Sequence, residues 1–295
     1  MRPFLPHAAA LLACMLVLPF ASAQDAPPRE IWKAGDMSVT AIQDLSNDME
    51  ISIFKGPASK KARAKYFANG KAKAGINVFL LRSNGKVALF DAGAGNVFQA
   101  PGKLPEQLAS LGVKPEDVDF VLLTHMHADH IGGLLREGRR TFPKAKLLVS
   151  KPELDAWRAL AENNSANASL IMSVLAAYGE DVLPPFAFGD SPLPGVTAIN
   201  AVGHTPGHTA FQLAAGGKKL LIVGDLIHAM PLQFALPNEC ASYDMDISDA
   251  IQSRKRLFRQ AAQNATPIAG MHFPFENIVG TVKKDGKGWR FRRAR

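Results

Sequence analysis

Apolar positions along this chain fall into short runs of β-favouring residues, and the runs repeatedly stop at a glycine beside a histidine or an aspartate. Residues 75–82 (Gly-Ile-Asn-Val-Phe-Leu-Leu-Arg) and 86–90 are two such runs, and the intervening Ser83-Asn84-Gly85 is a tight-turn signal that predicts a hairpin. The second run leads into Asp91-Ala92-Gly93-Ala94-Gly95. Residues 104–111 have helical spacing with Pro105 in the first turn. Residues 118–124 predict a buried strand delivering histidines at its C-terminal end; 147–150 predict another strand and 152–161 a helix. Downstream the pattern returns: strands at 196–202, 211–213, 219–223 and 267–271, a helix at 247–262, and a terminal hairpin over 278–291 around Asp285-Gly286-Lys287-Gly288. Loops at strand ends are where rigid scaffolds present reactive groups.

The densest chemistry is the run Thr124-His-Met-His-Ala-Asp-His-Ile-Gly-Gly133, which places His125, His127, Asp129 and His130 within six positions. Imidazole and carboxylate are the nitrogen and oxygen donors that zinc and its transition-series neighbours accept. A structural zinc site is the plainer alternative, although such sites favour cysteine and close at four ligands. His208, Asp225 and His272 each follow one of the later apolar runs, and with the first four they make seven donors, enough for two adjacent ions.

Composition narrows the setting. At 295 residues, with no Pro/Ser-rich linker, repeat or low-complexity tract, the chain suits one large core. Residues 1–23 have the build of a secretory signal: Arg2, an apolar stretch over 8–20, then Ala21-Ser22-Ala23 before Gln24. The expectation is an exported protein, periplasmic or secreted, whose domain occupies residues 24–295 and keeps no membrane anchor. Cys240 is then its sole cysteine, so no internal disulfide forms and Cys240 reads as a small buried apolar residue. The net charge of +8 is spread over the Lys60–Lys73 region and the Arg290–Arg293 tail. Nucleic acid is not an expected partner of an exported protein, and a solvated basic face accounts for the charge.

The His-x-His-x-Asp-His run, the later Gly-His-Thr, the Gly-Asp at a strand end and the late histidine resemble those of the metallo-β-lactamase-fold hydrolases over roughly residues 75–272. Within that superfamily, residues 203–209 (Gly-His-Thr-Pro-Gly-His-Thr), Gly224-Asp225-Leu226-Ile227-His228 and Gly286-Lys287-Gly288 resemble exported methyl parathion hydrolases and related lactonases. The resemblance implies an α/β fold, a four-layer αββα sandwich in one domain. It implies two divalent ions, zinc by default: one on His125, His127 and His208, the other on Asp129, His130 and His272, with Asp225 bridging. His204 is then a loop-ordering residue, and Asp91 orients a ligand histidine.

The same likeness implies hydrolysis by a hydroxide shared between the ions, with Asp129 carrying a proton to the leaving group and Asp225 fixing the pair. A lactone or ester with an apolar part, such as an acyl homoserine lactone, is the expected substrate. An organophosphate triester is the alternative, and an exported metal-binding protein without turnover is the non-catalytic one. β-Lactam hydrolysis is disfavoured because those enzymes generally lack the bridging aspartate. Phe98, Trp157, His228 and Phe273 are the candidate pocket residues; other aromatics belong to the core. Family relatives are often homodimers, though no interface is legible.

Overall fold

A computed structural model describes residues 26–161 and 166–294; the predicted signal at 1–23 lies outside the described residues. The first sheet carries six strands, β1 (Arg29–Ala34), β2 (Met37–Ser46), β3 (Gly75–Ser83), β4 (Lys86–Phe90), β5 (Phe120–Leu122) and β6 (Lys146–Leu148), in spatial order β1-β2-β3-β4-β5-β6. The first three pairings are antiparallel and the last two parallel. The second sheet is built from β7 (Val196–Asn200), β8 (Thr209–Ala215), β9 (Lys218–Ile222), β10 (Ile268–Ala269), β11 (Val279–Asp285) and β12 (Gly288–Arg293), again in chain order, with only β9 and β10 parallel. Both predicted hairpins form. In the first, Asn84 takes φ 51°, as the tight turn requires.

Side-chain alternation sets the layers. Phe79 and Leu81 of β3, Ala88 and Phe90 of β4 and Leu122 of β5 face the second sheet, where Phe211 of β8 meets Phe90 at 5.2 Å between ring centroids. The intervening Val78, Leu80, Leu89 and Val121 face outward, against the helices α2 (Leu104–Ser110), α4 (Lys151–Leu160) and α5 (Ala166–Tyr178). On the opposite side α7 (Ile247–Gln263) lays Leu257, Phe258 and Ala261 against the second sheet. That is the expected αββα sandwich in a single domain. A strand buried on both faces reads as the continuous apolar run seen at residues 75–82.

A small subsidiary core lies beside the sandwich. Met49, Phe54, Phe67 and Ala72 pack against Ala229 and Leu232, next to α1 (Lys60–Ala64) and α6 (Met230–Ala235). Among the described residues no helix is long and apolar enough to cross a membrane.

Candidate metal centre

The donors arrive from both sheets at one edge of the sandwich. Beyond β5, His125 and His127 lead into the short helix α3 (Ala128–Ile131), which carries Asp129 and His130. His204 sits in the loop between β7 and β8. Asp225 occupies a single helical turn after β9, and His272 follows β10. Gly224 opens that turn at φ 55°, pressed so closely on His208 that a β-carbon would overlap its ring.

Partners behind each ring decide which nitrogen faces inward. Asp244 Oδ1 accepts from His204 Nδ1 at 2.8 Å, and the Gly75 carbonyl from His272 Nδ1 at 2.8 Å. Asp91 Oδ2 accepts from His130 Nδ1 at 2.7 Å and from the Thr124 hydroxyl at 2.8 Å; Thr124 Oγ1 in turn lies 3.0 Å from His125 Nδ1. Four histidines are thereby left with Nε2 directed into the site, the arrangement in which outer partners orient metal-binding imidazoles. Asp91 holds φ 62°, a left-handed conformation that an aspartate tolerates at modest cost.

Inside that ring of supports, like meets like. His127 Nδ1 is 3.1 Å from His125 Nε2 and 2.9 Å from His204 Nε2. Asp225 Oδ2 lies 3.0 Å from His272 Nε2, 3.1 Å from His228 Nε2 and 3.3 Å from His204 Nε2, and Oδ1 lies 3.2 Å from His130 Nε2. Asp129 Oδ2 is 3.5 Å from His272 Nε2. Among the described residues, four overlapping groups have ligand atoms within 4.8 Å of one another: His125-His127-His204, His125-His130-Asp225, Asp129-His130-His272 and His204-Asp225-His228.

Charge and burial agree with a cation site. Burial and the neighbouring imidazoles hold His125 well below its ordinary pKa, take His127 to about 3 and, against the pull of Asp244 and Asp225, leave His204 at about 4. These three imidazoles are therefore neutral at physiological pH, the form in which a histidine can take a metal ion. Burial opposes a charge on His130, yet Asp225, Asp129 and Asp91 outweigh it and raise His130 well above the usual value; the same balance, led by Asp225, raises His272. Asp225 is held well below the carboxylate range despite its burial, chiefly by His130 and His272. Among the described residues, His130 Nε2 and Asp225 Oδ1 are buried atoms without an aligned hydrogen bond, although they face each other. Imidazoles kept neutral on one side, and carboxylates that draw positive charge onto His130 and His272 on the other, fit a pair of divalent ions.

The structure brings His125, His127, Asp129, His130, Asp225 and His272 together, as the sequence pattern suggested. It reverses the expectation for the Gly-His-Thr-Pro-Gly-His-Thr loop. His204 points into the cluster, whereas both nitrogens of His208 are engaged behind it: Nδ1 donates to the Ala201 carbonyl at 2.8 Å and Nε2 accepts from the Asp225 amide at 2.9 Å. His208 supports the turn that carries Asp225 and joins none of the four groups.

Phe273 also needs correction. It is fully buried between Phe234 and Phe291 and lines no cleft. Trp157 stands edge-on to His127 at 5.8 Å, and Phe98, 44% exposed, follows Val97 beside the end of α3. His228 is buried and stacks on His272. Asp244, Tyr243 and Asn77 escaped sequence reasoning. Tyr243 packs against His204 and His228, and the Asn77 amide donates to Met271 and Phe273 carbonyls around His272. Of these only Asn77, a lone amide in an apolar run, left a signal.

Residues 73–272 match the family model of the metallo-beta-lactamase superfamily, and the chain belongs to that superfamily. Among solved structures it is similar to the hydrolase AbOPH of the beta lactamase superfamily, with 30% identity, a TM-score of 0.83, and 92% of this chain and 99% of that chain covered. It is also similar to AidC, a dizinc quorum-quenching lactonase solved with its product N-hexanoyl-L-homoserine, at 25% identity, TM-score 0.80 and coverage of 91% and 98%. The N-acyl homoserine lactonase AttM of Agrobacterium fabrum is 27% identical over 180 residues, 57% of this chain. The match spans 63% of the length of that relative.

Proposed function

We propose that this chain is a dinuclear metal hydrolase that opens the ring of a lactone carrying an apolar acyl group, an N-acyl homoserine lactone or a close analogue. The observation that carries the reading is the convergence of inward-facing imidazole nitrogens and carboxylate oxygens on Asp225. Its likeness over more than nine-tenths of the chain to a dizinc lactonase supports the substrate class. His125, His127 and His204 would hold one ion, Asp129, His130 and His272 the other, and Asp225 both. Bound there, two divalent ions, zinc by default, supply a hydroxide at neutral pH and polarise the acyl oxygen.

The chain's own side chains do the rest. Asp129 is 20% exposed, while the other carboxylate of the cluster, Asp225, is buried. That exposure supports reading Asp129 as the carboxylate nearer an entering substrate, which would carry a proton to the departing ring oxygen. Burial and the charges of Asp225, Asp129 and Asp244 raise the Tyr243 pKa, keeping its phenol protonated as a donor beside His228. Tyr243, Met245 and Phe98 leave apolar surface exposed at segments that flank His204 and α3, which suits an acyl tail. The N-terminal segment is read as a secretory signal cleaved before Gln24, checked by N-terminal sequencing of exported protein.

Kinetics on a long-chain N-acyl homoserine lactone, an aryl ester and a phosphotriester, at defined metal content, test the proposal. Lactone turnover should dominate and vanish on chelation. A preference for the phosphotriester would overturn the substrate class, and stoichiometric metal uptake without turnover on any of the three would make the chain a metal-binding protein.

A further inference from the structure

Glu153, in the first turn of α4, is a fully buried carboxylate with no ion-pair partner among the described residues. Its four partners are uncharged donors, and they divide by loop. Oε1 accepts from the Met126 amide at 2.9 Å and the Trp157 indole at 2.7 Å; Oε2 accepts from the Thr205 hydroxyl at 2.6 Å and the Gly207 amide at 2.9 Å. Met126 lies between His125 and His127, and Thr205 follows His204. One oxygen thus grips the loop carrying two imidazoles, and the other grips the loop carrying the third.

Surrounding contacts tighten the same junction. The Ser150 hydroxyl, at the N-cap of α4, donates to the Gly207 carbonyl at 2.8 Å. Gly207 lies so close to the Glu153 backbone that any β-carbon there would collide with it. A buried charge without a counter-ion is costly to keep. Only an ionised carboxylate offers acceptors to four donors at once, because an amide replaces one oxygen with an NH2 group.

We propose that Glu153 is a positioning residue that sets the spacing between the His125-His127 loop and the His204 loop, and so the metal affinity of the three-imidazole half of the centre. The inference rests on the dinuclear reading for the identity of what those imidazoles hold. In Glu153→Gln, whichever way the amide turns, its NH2 confronts the donors of one loop, and that loop shifts.

The test is cobalt(II) titration of the full chain, followed by chelator competition and by the visible absorption of the bound ion, with thermal unfolding of the metal-free protein in parallel. Glu153→Gln should lose about 10- to 100-fold in cobalt affinity, the range known for outer partners of metal ligands, and its cobalt spectrum should change. Leu154→Ala, a core truncation one residue away, should lower the melting temperature and leave cobalt affinity and spectrum as in the wild type. A folded Glu153→Gln protein with wild-type affinity and spectrum would overturn the inference alone. Wild-type protein that takes up no cobalt would overturn the metal reading and this inference with it. If the Glu153 variant does not fold, Thr205→Val removes one of the four bonds at nearly constant volume. It should weaken cobalt binding in the same direction, and unchanged binding there would equally overturn the proposal.

Discussion

Matched substitutions at the two histidines of the Gly-His-Thr-Pro-Gly-His-Thr loop separate a ligand from a structural support. In His208→Gln, the amide oxygen can replace Nε2 as acceptor of the Asp225 amide, but the Ala201 carbonyl loses the donor now 2.8 Å away. Leaving one buried polar group unpaired costs about 1–3 kcal/mol. For a chain of this size that corresponds to a fall of roughly 2–12 °C in melting temperature, at about 2–4 °C per kcal/mol. Metal content per folded molecule should hold at two ions. In His204→Gln, Asp244 Oδ2 keeps its bond from the Ala241 amide but Oδ1 loses its donor. The metal-free protein should therefore be destabilised by a comparable amount, about 1–3 kcal/mol, and metal binding is what separates the two variants. Zinc affinity should fall by at least the about 10- to 100-fold that follows loss of a mere ligand partner. Chelator competition with a chromophoric zinc indicator measures the affinities, and differential scanning calorimetry of chelated protein measures the stabilities. A His208→Gln protein that loses an ion, beside a His204→Gln protein that keeps both, would refute the assignment.

Asp91→Asn should weaken metal binding by about 10- to 100-fold, because Asp91 sets the His130 ring; unchanged zinc affinity would mean that Asp91 serves Thr124 alone. Gly224→Ala should destabilise the chain by more than about 1 kcal/mol, since φ is 55° and the new methyl group meets His208; a neutral melting curve would contradict that geometry. The Asp119 carboxylate accepts from Lys86 and from the Val87 amide, and although burial opposes it, these bonds and the nearby lysines hold it below the usual carboxylate range. Its stabilising contribution is therefore complete above the ordinary carboxylate pKa and is lost as pH falls through the depressed one. The unfolding free-energy gap between wild type and Asp119→Asn should accordingly be present at neutral pH and close in acid; a gap that persists into strong acid would sink the assignment.

The sandwich was legible where burial imposes a clear pattern. Residues 75–90 announce a hairpin because β3 and β4 are covered on both faces and the turn needs Asn84-Gly85. Residues 279–293 announce another because Asp285 and Gly288 bound a short loop. The edge strand β1 and its neighbour β2 were not anticipated: Thr40, Gln43 and Ser46 interrupt the apolar run of β2, which carries an irregularity between Gln43 and Leu45. Helix α5 went unseen because Ala-Asn-Ala-Ser and Met-Ser mix small and apolar residues without an amphipathic stripe, while its packing partners are tertiary.

The choice between His204 and His208 shows where local sequence stops informing. Both histidines precede a threonine and follow a glycine, so spacing within the loop treats them alike. What distinguishes them lies elsewhere in the chain: Asp244, forty residues on, captures His204 Nδ1 and turns Nε2 inward, while the backbone at Ala201 and Asp225 claims both nitrogens of His208. A donor's type is written in its own residue, whereas its direction is written in the partner that holds the opposite nitrogen. His130 with Asp91 and His272 with Gly75 repeat the rule. In a chain of this class, the acceptors behind the rings therefore decide which histidines become ligands, and exchanging those acceptors should redirect a ring as surely as replacing it.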